Sequence, residues 1–270
     1  LIAFKYPAFM TVPRRILPVI VLSQFAGTSL WFAGNAVLPD IQQLWHLPAT
    51  AVATVTSAVQ LGFVAGTLVF ALLMVADRIA PTRVFFACSL LAAACNAAIT
   101  MLDGQFSALV ALRFAVGFFL AGIYPVGMKI AASWYREGLG AALGVLVGAL
   151  VVGTALPHGL RALAGGGSWL PATAGSLPAW QIVLLCVSGL AVLGGLATYV
   201  LIPAPQQGNA VPVNVRALRS IVTEPKLRAS VFGYFGHMWE LYSFIVLVPL
   251  VMATRLVGTS VSAAAFWSIG

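Results

Sequence analysis

The sequence predicts an all-α polytopic membrane protein, a bundle of helices each long enough to cross a bilayer. Hydrophobic residues make up 61% of its 270 positions and charged residues only 7%, against about 25% charged in a soluble domain. Mean hydropathy is +1.02, so the chain cannot cover a water-facing surface. Its apolar residues lie in uncharged runs separated by short polar segments, most plainly at 51–76 and 84–102, on either side of Asp77-Arg78-Ile79-Ala80-Pro81-Thr82-Arg83. So short a connection makes the two helices antiparallel neighbours. Its three charges must sit in water or pair with something specific.

Taking about 20 apolar residues per span, helices are predicted at 16–37, 51–76, 84–102, 107–133, 140–162, 180–202 and 229–253, with an eighth opening near residue 260. Gly34 and Ala36 would suit signal-peptide cleavage after the first run, but its length and the six further spans favour a membrane helix. The chain starts at Leu1, with Met10 a natural start, and stops inside an apolar run, so it reads as a piece of something longer. The organisation expected is a cytoplasmic N-terminus at 1–15, a six-helix transmembrane bundle at 16–202, a cytoplasmic central loop at 203–228, and the start of a second bundle at 229–270. Within the central loop, 213–222 reads as a short basic amphipathic stretch or as plain linker.

Positive charge sets the orientation. Lys5, Arg14, Arg15, Arg78, Arg83, Arg136, Arg216, Arg219, Lys226 and Arg228 all fall on one side of the predicted spans, while the opposite loops hold only Arg161 and Arg255, beside Asp40 and Asp103. The positive-inside rule therefore puts the N-terminus, the 77–83 hinge and the central loop in the cytoplasm. This accounts for the net charge of +8 without a nucleic-acid partner. Cys88, Cys95 and Cys186 lie within apolar runs, with no disulfide or metal spacing. No Ser/His/Asp constellation, phosphate-binding loop or metal cluster is visible, so neither an enzyme nor a cofactor is expected.

Polar residues inside the spans need a reason, because a charge at mid-bilayer depth costs on the order of 2.5–3.5 kcal/mol on insertion scales. Arg113 lies about two turns, roughly 9 Å, into the fourth span. It can bind an anion, pair with a carboxylate, or act structurally by snorkelling or by holding backbone carbonyls. Glu240 sits near the middle of the seventh span, with His237 and Tyr234 one and two turns earlier on one broad face. A carboxyl group at that depth can load and unload a proton, with His237 tuning it; the alternative is a polar pair that fixes helix packing. Gln24, Thr28, Trp31 and Asn35 form one stripe on the first span, facing either a cavity or neighbouring helices. Gln60 and Tyr124 are weaker cases of the same kind. Gly62-x-x-x-Gly66 and Gly144-x-x-x-Gly148 read as packing surfaces, Pro125 as a kink and Lys129 as a snorkelling lysine.

These residues carry a resemblance. The hinge resembles the loop between helices 2 and 3 of the major facilitator superfamily, Gly-x-x-x-Asp-Arg-x-Gly-Arg-Arg: Asp77 and Arg78 match, Leu73 and Ala80 replace the glycines, and Pro81-Thr82 replace the basic pair. Leu109-x-x-x-Arg113-x-x-x-Gly117 is similar to the family's motif in helix 4, with Val116 where glutamine is common. Residues 233–242 look like helix 7 of a bacterial branch grouped with nitrate and cyanate permeases, although the glycine- and asparagine-rich signature of nitrate porters is missing from the fifth span. At an offset of 210, Phe25, Phe32 and Pro39 meet Phe235, Tyr242 and Pro249, which fits two halves in parallel repeat.

The resemblance implies a secondary active transporter of the bacterial inner membrane working by alternating access. Arg113, as the one clear cation in its cavity, points to a small organic or inorganic anion as substrate, and Glu240, which can cycle its charge, to proton symport; a monomer is expected. Its substrate contacts would be Arg113, Gln24, Thr28, Trp31, Asn35 and Tyr124, its proton-coupling residues Glu240, His237 and Arg113, and its latch between the halves Asp77, Arg78 and Arg83. Proton-driven export of hydrophobic compounds and a non-transporting membrane sensor are the alternatives.

Overall fold

Lipid offers no hydrogen bonds to a backbone, so a spanning segment must satisfy its own, and long apolar runs become helices. A computed structural model describes residues 13–135, 137–165, 177–203 and 222–255, and all their regular structure is helical. Lys5, Arg136, Arg216, Arg219, most of the 203–228 loop and the eighth predicted helix fall outside these residues, as do the side chains of Tyr242, Pro249 and Arg255.

The chain divides into two units, Leu1–Ala210 and Val211–Gly270. The first contains α1 (Ile16–Thr28), α2 (Leu30–Trp45), α3 (Ala51–Leu72), α4 (Val75–Arg78) and α5 (Pro81–Ala98), then α6 (Phe106–Leu120), α7 (Tyr124–Trp134), α8 (Leu139–Gly165) and α9 (Ala179–Leu201). They make six stretches long and apolar enough to cross a membrane: Ile16–Trp45, Ala51–Leu72, Pro81–Met101, Phe106–Trp134, Leu139–Ala164 and Ala179–Leu201. The second unit is described through α10 (Pro225–Arg255), a 31-residue helix over the seventh predicted span that is not among those six.

Two spans of the first unit end well away from expectation. The first runs on to Trp45, past the predicted end at Val37. Pro39 removes one backbone donor, but Leu38 and Ile41 are fully buried and secure the added turns. Ser29 interrupts this span: its hydroxyl donates to the Ala26 carbonyl at 2.6 Å, while Thr28 Oγ1 donates to that of Gln24 at 2.8 Å, a side-chain competition that disturbs helices. The second span stops at Leu72, and Met74 then turns with φ 51° before the short α4. The expected kink at Pro125 is present. Helix is lost at Ala121–Ile123 and resumes in α7, where proline occupies the first turn and needs no backbone donor.

Between membrane helices the hydrophobic effect supplies little attraction, so packing rests on close approach over small residues. Gly62 and Gly66 of α3 lie against the Phe114 and Phe118 carbonyls of α6, and Gly117 of α6 lies against that of Val59. α5 packs on α9, and α1 on both α8 and α9. There a Cβ at Gly153 would fall 2.6 Å from Phe25 O and from Thr28 Oγ1, and one at Gly195 2.7 Å from the Ser89 side chain. The second glycine pair does not behave as expected. Gly144 and Gly148 meet nothing within 4 Å among the described residues, because they lie on an exposed face of α8.

The two pairs should therefore respond oppositely to bulk. Gly62→Leu is expected to force α3 from α6 and cut the yield of monodisperse protein in detergent severalfold. Gly144→Leu should leave that yield unchanged, as read by size-exclusion chromatography.

Candidate functional site

The first span is the hub of the six-helix unit, and its polar stripe does not face one way. Gln24 is fully buried with its amide against Gly127 of α7, and neither amide atom finds a partner. Thr28 turns towards Gly153 of α8. Beyond the interruption at Ser29, Trp31 lies 4.6 Å, ring centre to ring centre, from Phe63 of α3. One turn on, Asn35 Nδ2 donates to Thr56 Oγ1 of α3 at 2.6 Å. Tyr124 opens α7, half-buried.

Arg113 of α6 reaches the same end of α2. Its Nη1 donates to the Leu30 carbonyl at 3.1 Å and its Nη2 to the Trp31 carbonyl. The guanidinium has no solvent contact. It fits because Gly34 has no side chain: a Cβ there would lie 2.6 Å from Arg113 Nε. So the arginine does hold backbone, one of the readings open from sequence, yet it carries no ion pair among the described residues. Burying an uncompensated charge is expensive. Arg113 Nε, Trp31 Nε1, Asn35 Oδ1 and Gln60 Nε2 are all buried without a hydrogen-bond partner.

Glu240 and His237 belong to the other unit. Both are exposed on α10, with no hydrogen bond or ion pair joining them among the described residues. Glu240 shares an open, mainly apolar face of α10 with Trp239, Ser243, Phe244 and Leu247.

The hinge charges are not equivalent. Lys129 Nζ donates to Asp77 Oδ1 at 2.5 Å and to the Ala76 carbonyl at 2.8 Å. Lys129 is thus the partner of the hinge rather than a snorkelling lysine; a separation of 52 positions hid the pairing, though a lysine near the same end of a neighbouring span was its one signal. Arg78 and Arg83 are exposed. A second pair was missed for the same reason. Arg161 of α8 grips Asp40 of α2 with Nε to Oδ2 at 2.8 Å and Nη2 to Oδ1 at 2.7 Å. No group of three or more potential metal ligands occurs among the described residues.

A profile of the Major Facilitator Superfamily matches residues 20–270. The chain belongs to the major facilitator superfamily. Two crystal structures of a bacterial homologue of the human lysosomal transporter Spinster share this superfamily chain's fold at 18% identity. The inward-facing, unoccupied form gives a TM-score of 0.61 and the inward-facing, occupied form 0.59. Each alignment covers 94% of this chain but only 58% and 56% of theirs, so the chain spans less than two thirds of their length. No curated protein matches its sequence.

The two ion pairs of this superfamily member should differ in worth. Asp77 and Lys129 are 47% and 40% exposed, whereas Asp40 and Arg161 are 33% and 15% exposed and meet in a two-pronged fork. Asp77→Asn is expected to cost under about 1 kcal/mol, shrinking further in high salt. Asp40→Asn should cost about 1–3 kcal/mol with little salt dependence. Thermal unfolding in detergent at low and high salt measures both.

Proposed function

We propose that this protein is a secondary active transporter that carries a small organic or inorganic anion by alternating access, coupled to protons. The observation that carries the reading is Arg113: a guanidinium without solvent contact and without a carboxylate partner among the described residues. Two of its nitrogens hold carbonyls of α2. That arrangement fixes the side chain while leaving its charge uncancelled, as an anion site requires. Trp31 and Asn35 flank it on α2, with Gln60 opposite on α3. Gln24 and Thr28, which stand on the hub against α7 and α8, and Tyr124 at the start of α7 enter the proposal as further substrate contacts.

Proton coupling is assigned to Glu240, with His237 one turn away on the same helix. A carboxyl group that alternates between charged and neutral forms can tie substrate movement to a proton gradient, provided its affinity differs between the two access states. Asp77 is held inside the six-helix unit by Lys129, which leaves Arg78 and Arg83 as the hinge groups free to act as a latch against a second half. The proposal puts the N-terminus, the hinge and the central loop at 203–228 on the cytoplasmic side of a bacterial inner membrane, an orientation that the excess of Lys and Arg in those segments supports. The protein is taken to act as a monomer. Proton-driven export of hydrophobic compounds is the second reading, favoured by the apolar side chains beside Glu240 on α10.

Uptake into proteoliposomes under an imposed pH gradient tests the assignment. Anion accumulation should be saturable, and Arg113→Gln should lower apparent affinity at least about tenfold, the order expected for losing a charge-assisted contact. Arg113→Lys should recover part of it. Glu240→Gln is expected to abolish gradient-driven accumulation while sparing counterflow. Normal affinity in Arg113→Gln would remove the anion site, and intact accumulation in Glu240→Gln would remove the proton carrier.

A further inference from the structure

The polar atoms left over where α2, α3 and α6 meet have a definite chemistry. On α2, Trp31 and Asn35 are one turn apart. On α3, Thr56, Gln60 and Phe63 share a face at i, i+4 and i+7. Because Trp31 meets Phe63 and Asn35 meets Thr56, Gln60 is bracketed between the two contacts, opposite the Trp31–Asn35 turn. Arg113 closes the group from α6, its Nε against Gly34. The unpartnered buried atoms are Trp31 Nε1, Gln60 Nε2 and Arg113 Nε, which are donors, and Asn35 Oδ1, which is an acceptor.

The acceptor is fixed. Thr56 Oγ1 donates its single proton to the Val52 carbonyl at 2.7 Å, so towards Asn35 it can only accept. The amide must present Nδ2 to Thr56 and turn Oδ1 away. Of the other unpartnered side-chain oxygens in the unit, the amide oxygens of Gln24 and Asn96 lie away from Arg113, where Gln24 meets α7 and Asn96 meets α9, while those on Ser23, Ser89 and Thr198 are hydroxyls that can rotate onto carbonyls of their own helices. An indole N–H and a guanidinium Nε–H have no such recourse. Three donors, one of them on the buried cation itself, with a single acceptor beside them, complement an anion that brings a donor of its own.

We propose that this junction selects an oxyanion bearing a hydroxyl, either a hydroxycarboxylate or a hydrogen phosphate, over anions with no donor. The inference rests on the anion reading of Arg113 and narrows its substrate class. The charged oxygens take the donors of Arg113, Trp31 and Gln60, and the hydroxyl donates to Asn35 Oδ1. An anion without a hydroxyl leaves that oxygen buried and unpaired. Sites built to hydrogen-bond a substrate hydroxyl discriminate strongly against analogues lacking it.

Matched pairs test this with the intact protein in proteoliposomes: lactate against propionate, and hydrogen phosphate against sulfate, each as competitor and as counterflow substrate. The hydroxyl-bearing member of one pair should bind at least about tenfold more tightly, and the responding pair tells carboxylate from phosphate. Asn35→Leu should bring that pair within about twofold of each other. Thr56→Val, which frees the amide to turn, should weaken the preference without deleting Asn35. Equal binding of both members in both pairs overturns the selectivity and leaves the anion site standing. Preference undiminished in Asn35→Leu and Thr56→Val also overturns it. Binding of none of the four anions overturns the anion site and the selectivity together.

Discussion

Arg113 reaches from α6 to the carbonyls of Leu30 and Trp31 while fully buried, and much of the six-helix unit is arranged to permit this. Gly34 must lack a side chain for the guanidinium to enter. α6 must come close to α2, and it does so while its Gly117 rides on the backbone of α3, whose Gly62 and Gly66 receive α6 in return. The three helices therefore form one contact set in which each glycine removes a side chain that would otherwise hold the backbones apart. In lipid, where apolar side chains gain little by meeting each other, such close approach and a few strong hydrogen bonds are the available cohesion.

Charge at the ends of the unit obeys a related constraint. Asp77 with Lys129 joins the hinge to α7, and Asp40 with Arg161 joins α2 to α8. Both pairs link elements far apart in sequence, so each ties the bundle across rather than along the chain. The fork of Arg161 on Asp40 is geometrically matched and partly shielded, while the lysine pair is a point contact in a more open place. The hinge end keeps Arg78 and Arg83 exposed.

Much of the fold was legible because one physical rule governs it: an uncharged run of about 20 residues must be a helix in a bilayer. The hinge, the break at Pro125 and the packing role of Gly62 and Gly66 followed from local chemistry. The reach of the first span past Pro39 did not, since burial of Leu38 and Ile41 is a property of the assembled bundle. Gly144 and Gly148 have the spacing of Gly62 and Gly66 but not their neighbours, and spacing carries no information about what a helix face meets. Arg113 was legible as a buried cation. Its acceptors were not, because a backbone carbonyl has no sequence signature. Lys129 and Arg161 were each visible as charges near span ends, but pairing is a matter of which ends lie side by side.

The stripe of Gln24, Thr28, Trp31 and Asn35 shows how such a reading must be refined. Residues sharing a face of one continuous helix would share a neighbour only if a single helix or cavity ran alongside it. Here the hub is interrupted at Ser29 and crossed by successive partners: Gln24 meets α7, Thr28 meets α8, and Trp31 and Asn35 meet α3. Only the α2 portion of the stripe comes to Arg113. A hydroxyl such as Thr28 can satisfy itself on its own helix, so it imposes no demand on what lies beside it. An indole, a primary amide already tied at one end, and a guanidinium cannot do this. Four such unmet polar atoms lie where α2, α3 and α6 converge, beside the charge that most requires a counterpart, whereas Gln24 and Asn96 keep unmet amide atoms elsewhere in the bundle.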